Sequence, residues 1–165
     1  MRIALPTSWA TFTIALIFLA GCANPPRLIH APGQQASQWN GRIALRIDAE
    51  PAQSFSAGFE LRGNAQTGEL SLYSPFGATL AQMVWTLGDA RLRRDGQERK
   101  FDSMDALTLQ TTGTELPLAS IFEWLAGNNV STSGWQADLR ELPNGRLVAR
   151  RSVPLPGVEM RLVLE

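Results

Sequence analysis

The stretch GELSLYSPFGATLAQMVWTLG, residues 68–88, reads as two strands joined by a tight turn. Leu70 and Leu72 alternate with other residues before the turn, and Ala81, Met83, Trp85 and Leu87 alternate after it. That period of two marks strands with one dry face. Ser74-Pro75-Phe76-Gly77 suits a type I turn: Ser stands first, Pro fixes φ at the second position and Gly closes the fourth. Phe76 is the residue the turn does not require. At the third turn position its ring points outward, so it either packs on a neighbouring loop or is offered to something apolar outside the protein.

The same alternation extends on both sides. Residues 39–47, WNGRIALRI, place Ile43, Leu45 and Ile47 on one face and Arg42, Ala44 and Arg46 on the other. Residues 53–61 place Phe55, Ala57, Phe59 and Leu61 opposite Ser54, Ser56, Gly58 and Glu60, and Gly63-Asn64 marks the following turn. Short strands at 90–94 and 98–101 join through Asp95-Gly96, a hairpin dipeptide. The final third returns to strands at 134–142, 146–153 and 158–165, the first two separated by Pro143-Asn144-Gly145.

Between Phe101 and Asn129 the period changes. Ser103 can cap a short helix with Asp105 in its first turn, running through Ala106, Leu107 and Leu109 toward Gly113. Pro117 suits the first position of a second helix and Gly127 its C-terminal stop. Leu118, Ile121, Phe122 and Leu125 form an apolar stripe on that helix, with Trp124 at its border. The chain thus reads as mainly β with a few helices: about nine antiparallel strands and two helices inserted late. A highly curved sheet of this many strands either closes or has its concave face plugged, and the two helices are the available plug. Helices held by an apolar stripe alone are either plain core or a displaceable lid.

Composition narrows the chemistry. The 165 residues suffice for one domain, and 15 Lys and Arg balance 15 Asp and Glu, so nothing steers the protein toward nucleic acid. One Cys and one His exclude an internal disulfide, a Cys-based zinc cluster and the usual metal or base constellations. No HExxH, GxGxxG, GxxxxGK[ST] or GxSxG motif occurs, and a Ser-His-Asp triad would have to recruit His30 from a Pro- and Gln-rich tether. Asp102 and Asp105 read as helix N-terminal charges. Arg91, Arg93, Arg94, Arg150 and Arg151 read as solvent-facing strand charges or edge protection. No catalytic residue, metal or cofactor is expected.

The N-terminus reads as an address and an anchor. Residues 1–21 carry Arg2, an apolar run from Trp9 to Ala20, and small residues directly before Cys22. The run is shorter than the roughly 20 residues of a spanning helix. Leu19-Ala20-Gly21-Cys22 resembles the bacterial lipobox, which implies cleavage before Cys22 and acylation of that residue. With at least two acyl chains at about 0.8 kcal/mol per buried methylene, such an anchor is effectively permanent. Ala23 stands where inner-membrane lipoproteins of Gram-negative bacteria carry Asp, which resembles the outer-membrane pattern. Residues 22–38 are then an acylated Cys and a flexible tether, and 39–165 the folded domain.

Order and spacing of several blocks resemble the LolB family of outer-membrane lipoprotein receptors. The blocks are the lipobox, WNGRIALRI, SFSAGFELRG at 54–63, GELSLYSPFGATLAQM, LPLASIFEWLAG at 116–127 and GWQADL from Gly134. The resemblance implies a curved antiparallel sheet forming an incomplete, half-open β-barrel with a helical lid and an apolar cavity for acyl chains. It also implies a protruding loop with an apolar residue that engages the membrane. Pro75-Phe76-Gly77 matches that loop, with Phe where members often carry Leu. The chain ends soon after the strand that begins at Val158, earlier than larger members do. On this resemblance Ile43, Leu45, Phe55, Phe59, Leu70, Leu72, Met83 and Trp85 would receive acyl chains, while Leu118, Ile121, Phe122 and Leu125 move aside as the lid. Acylated lipoprotein clients, a soluble periplasmic carrier similar to LolA and outer-membrane lipid are the implied partners of a monomer. A structural or assembly-factor lipoprotein with an ordinary packed sheet is the alternative.

Overall fold

The computed structural model describes residues 37–165. The expected signal peptide, Cys22, His30 and most of the tether lie outside the described residues. Nine strands follow in chain order: β1 Ser37–Ile47, β2 Gln53–Gly63, β3 Gly68–Tyr73, β4 Thr79–Thr86, β5 Asp89–Arg94, β6 Gln97–Phe101, β7 Trp135–Asp138, β8 Arg146–Arg151 and β9 Val158–Leu164. Helices α1 Met104–Thr112 and α2 Leu118–Leu125 separate β6 from β7.

All pairings are antiparallel, and the strand order is β6-β5-β4-β3-β2-β1-β9-β8-β7. Two meanders, β1 to β6 and β7 to β9, are therefore fused where β9 pairs with β1. The sheet is not closed: β6 and β7 are its free edges, and the segment joining them carries both helices. Local signals set the elements. The Ser103 hydroxyl accepts the Ala106 N–H at 3.1 Å, capping α1, which ends at Gly113. At the β5–β6 hairpin Asp95 and Gly96 both adopt positive φ, 53° and 74°, as the favoured two-residue turn requires.

Register also fixes which loops share an end of the sheet. Ile47 pairs with Gln53 and with Val158, so the β1–β2 loop lies at the same end as the β8–β9 loop, residues 152–157. The β3–β4 turn and the β5–β6 turn leave from that end too. The β2–β3 and β4–β5 turns and the start of β1 lie at the other.

The structure departs from the sequence reading at several points. β1 starts at Ser37, two residues before the expected boundary, because Ser37 and Gln38 continue the ladder opposite Gly63 and Arg62. Leu87 does not extend the inner face of β4; it sits in the turn with Gly88 before β5 and is 80% exposed. The strand expected over 134–142 shortens to β7, because the chain turns through Leu139 to Glu141 into a 3-10 turn at Leu142–Asn144. Arg151 is buried, where a solvent-facing charge was expected. It shares the parity of Leu147 and Ala149, which turns all three inward.

Candidate acyl-chain site and exposed loop

The inner face of the sheet and one face of α2 form a single apolar cluster. Ile43, Leu45, Phe59, Leu70, Leu72, Met83 and Trp85 are all buried, and Phe55 is partly buried against them. Alternation along β1 to β4 turns these side chains to the concave side, while Arg42, Arg46 and Arg62 stay outside. From α2, Leu118, Ile121, Phe122 and Leu125 are buried in the same cluster. The structure thus brings these sheet and helix residues to one place, while Leu87, also expected on the dry face, lies outside it.

Phe122 is the contact between helix and sheet. Its ring meets Trp39 at 5.7 Å and Trp85 at 6.2 Å between centroids, both edge-on at about 60°. Edge-to-face pairs of this kind add about 0.5–1.5 kcal/mol each beyond area burial. Trp85 is held from both ends: its indole N–H donates to the Asn64 carbonyl at 3.0 Å, and its ring lies over Gly68. A Cβ on Gly68 would fall 2.5 Å from Trp85 Cζ2 and would overlap the Arg62 carbonyl, so the tryptophan owes its seat to the missing side chain.

The four stripe residues of α2 hold it by roughly 1.5–3 kcal/mol each of buried apolar surface, before the cost of ordering the segment. The connection from α1 to α2 is fixed by hydrogen bonds. The Thr108 hydroxyl accepts the Leu116 N–H at 3.0 Å, and the Thr112 hydroxyl lies 3.1 Å from the Thr114 carbonyl, to which it can donate.

Three residues at the site escaped the sequence reading. Trp39 lies on the inner face and abuts Phe122; its parity with Ile43 was the available signal. Trp124 is fully buried rather than at the stripe's border, because its indole N–H donates to the Val130 carbonyl at 2.7 Å and thereby finds a partner inside. Arg151 is the one buried charged side chain among the described residues. Its guanidinium stacks 5.6 Å from the Trp135 ring centre and donates long bonds to the Thr114 hydroxyl at 3.3 Å and the Pro156 carbonyl at 3.4 Å.

The Pro75-Phe76-Gly77 loop is the opposite kind of site. The Gly77 N–H donates to the Ser74 carbonyl at 2.9 Å and closes the turn. The Ser74 N–H donates to the Ala78 carbonyl at 2.8 Å, and the Ser74 hydroxyl accepts the Ala78 N–H at 3.1 Å. Gly77 has φ 81°, the left-handed residue that returns a type I turn to the strand and that a side chain would disfavour. The loop is therefore stiff, and Phe76 at its tip is 98% exposed. Packing on a neighbouring loop is excluded.

Apart from Arg151, the charged side chains of the described residues stay outside the core. Arg140 donates two hydrogen bonds from its guanidinium and one from its backbone N–H to the Asp138 carboxylate, which brings that carboxyl down to about 2. Arg93 and then Arg91 likewise hold Glu98 below the usual carboxylate range. Among the described residues no group of three or more His, Cys, Asp or Glu is placed to hold a metal ion. No helix among them is long and apolar enough to cross a membrane.

Fold and site together define an unclosed antiparallel barrel whose greasy inner face is roofed by a helix and whose rim presents a bare aromatic. The family described as Outer membrane lipoprotein LolB matches residues 35–152. A relative from Bordetella petrii named Outer-membrane lipoprotein LolB is 27% identical, with 88% of this chain and 86% of the relative covered. Relatives of the same name from Chromobacterium violaceum and Shewanella baltica are each 28% identical, covering 67% and 91% of this chain and 63% and 67% of their own lengths. The chain belongs to the LolB family of outer-membrane lipoproteins.

Proposed function

We propose that this protein accepts acylated lipoproteins from a soluble periplasmic carrier similar to LolA, shelters their acyl chains in its interior and inserts them into the outer membrane. Family membership supports the role, and the continuous apolar cluster shared by the sheet and α2 is the observation that carries the mechanism. Residues 1–21 are removed, Cys22 is acylated, and the residues between it and β1 tether a monomeric domain that acts without catalysis.

An acylated client exposes many methylenes, and at about 0.8 kcal/mol each its passage through water costs tens of kcal/mol. Shelter is therefore a physical requirement. The interior is roofed by α2, so an incoming chain must take the place of Leu118, Ile121, Phe122 and Leu125 against the sheet. The exchange is close to balanced: a dozen methylenes offer roughly 10 kcal/mol, about what four buried side chains contribute. Near-balance lets the client enter without a nucleotide and leave without being trapped, and the direction comes from the better solvent at the end of the route, the bilayer. Phe76 engages that bilayer and places the open interior beside it.

The test uses the acylated protein, a carrier loaded with an acylated client, and liposomes, with uptake and release measured separately. Phe76→Glu is expected to leave uptake intact and to slow release. Equal loss of both steps would return Phe76 to a structural role, and failure of the unsubstituted protein to take the client would remove the transfer function and favour an assembly factor that binds through its surface.

A further inference from the structure

Phe76 is not the only bare apolar group at its end of the sheet. The β8–β9 loop reads Ser152-Val153-Pro154-Leu155-Pro156-Gly157, without a charge, and Val153 and Leu155 are 70% and 84% exposed. This loop is braced. The Gly157 carbonyl accepts the Asp48 N–H at 2.9 Å, the Pro156 carbonyl accepts from the buried Arg151, and the Val153 carbonyl lies against Gly134 so closely that a Cβ there would overlap it. Two stiff turns thus present apolar side chains without an ordering cost on contact.

The strand order puts four strand spacings between the β3–β4 turn and the β8–β9 loop, on the order of 20 Å along the sheet. Tyr73, where β3 ends, pairs with Gly58, five residues along β2 from the Gln53 that lies level with Val158 across Ile47. A step of this size is what strand tilt produces when a sheet curls, and tilt brings stepped hairpins back to one rim. The other turns at that end carry Asp48, Glu50, Arg94 and Asp95.

We propose that the β8–β9 loop is a second membrane foot: Val153 and Leu155 enter the same leaflet as Phe76 and fix the tilt of the domain on the bilayer. The inference rests on the membrane role proposed for Phe76. A flat lipid surface is the partner that takes separated apolar points on one rim, whereas a single peptide ligand needs contiguous contact. β1 begins at the opposite end of the sheet, and the anchor permits the orientation: fifteen residue steps from Cys22 to Ser37 reach at most about 50 Å, against about 36 Å for the length of β1. Leu87, equally bare, stands alone at the opposite end and is the natural control.

The test places one environment-sensitive fluorophore at a time on engineered Phe76→Cys, Leu155→Cys and Leu87→Cys in the full acylated protein, in which Cys22 is the only native cysteine and is blocked. The protein is reconstituted in phosphatidylethanolamine and phosphatidylglycerol liposomes containing nitroxide lipid. Quenching at 76 and 155 but not 87 is expected, and a Val153→Glu, Leu155→Glu double variant should release client about tenfold more slowly or worse, with uptake unchanged. Quenching at 76 alone would overturn the second foot and leave Phe76 engaged. Quenching at neither would remove both, and equal quenching at all three would show unoriented adsorption. A signal at 155 that requires carrier and not lipid would assign the loop to the carrier instead.

Discussion

Phe122→Ala separates a lid from a piece of core. The ring is buried and makes edge contacts with both Trp39 and Trp85, so its removal should cost about 3–5 kcal/mol of global stability, with about 1–3 kcal/mol of that from the two aromatic pairs. Either reading of α2 gives that loss in a urea titration. They differ in what happens to binding. If α2 must swing away before an acyl chain enters, apparent affinity is the intrinsic affinity scaled by the open fraction, and weakening closure by about 3 kcal/mol raises that fraction roughly a hundredfold. Titration with a fluorescent fatty acid should therefore show tighter binding in the less stable protein. Leu147→Ala provides the control: Leu147 is equally buried, on β8, and its loss should destabilise without improving affinity. If Phe122→Ala loses stability and binds the probe no better than Leu147→Ala does, α2 is fixed core and the proposed entry route is wrong.

Two further outcomes test the frame around the site. Gly68→Ala should lower stability by about 2 kcal/mol or more, because the new methyl meets the Trp85 ring and a backbone carbonyl that cannot retreat; a urea midpoint unchanged from the parent would contradict the packing described. Asp138 has its pKa depressed in the fold from 3.8 to about 2, so the stabilisation it shares with Arg140 is present above pH 3.8 and is lost as pH falls from there through about 2. Asp138→Asn should flatten the pH dependence of the urea midpoint in that window, and salt should shrink the difference, since the pair is at the surface.

Much of this fold was legible because its signals are local. Alternation in β1 to β4 predicted the inner face apart from Trp39, and Ser103, Asp95-Gly96 and the Ser74 to Gly77 turn behaved as their chemistry dictates. What was hidden depends on distant partners. The β4 alternation runs on into Leu87, and only the pairing of Thr86 with Asp89 shows that the chain has already turned. Arg151 carries a charge that argues for solvent, while parity, Trp135 and Thr114 hold it inside. Trp124 needed the Val130 carbonyl, which no periodicity reveals. The placement of β9 beside β1 is a long-range pairing of the same sort. The buried residues of the inner face and of α2 could be read in advance, whereas the Trp39–Phe122–Trp85 contact that joins them could not.

The unclosed sheet has one more consequence. A complete barrel satisfies every strand, but an unclosed one has two edge strands whose backbone donors and acceptors another chain could copy. Here one of those rows runs along Gln97, Glu98, Arg99 and Lys100, all exposed, and the other belongs to a strand of only four residues. Charge on one border and brevity on the other make poor templates for fibril growth. A protein crowded beside its own copies on a membrane can thus stay permanently ajar without seeding polymers of itself.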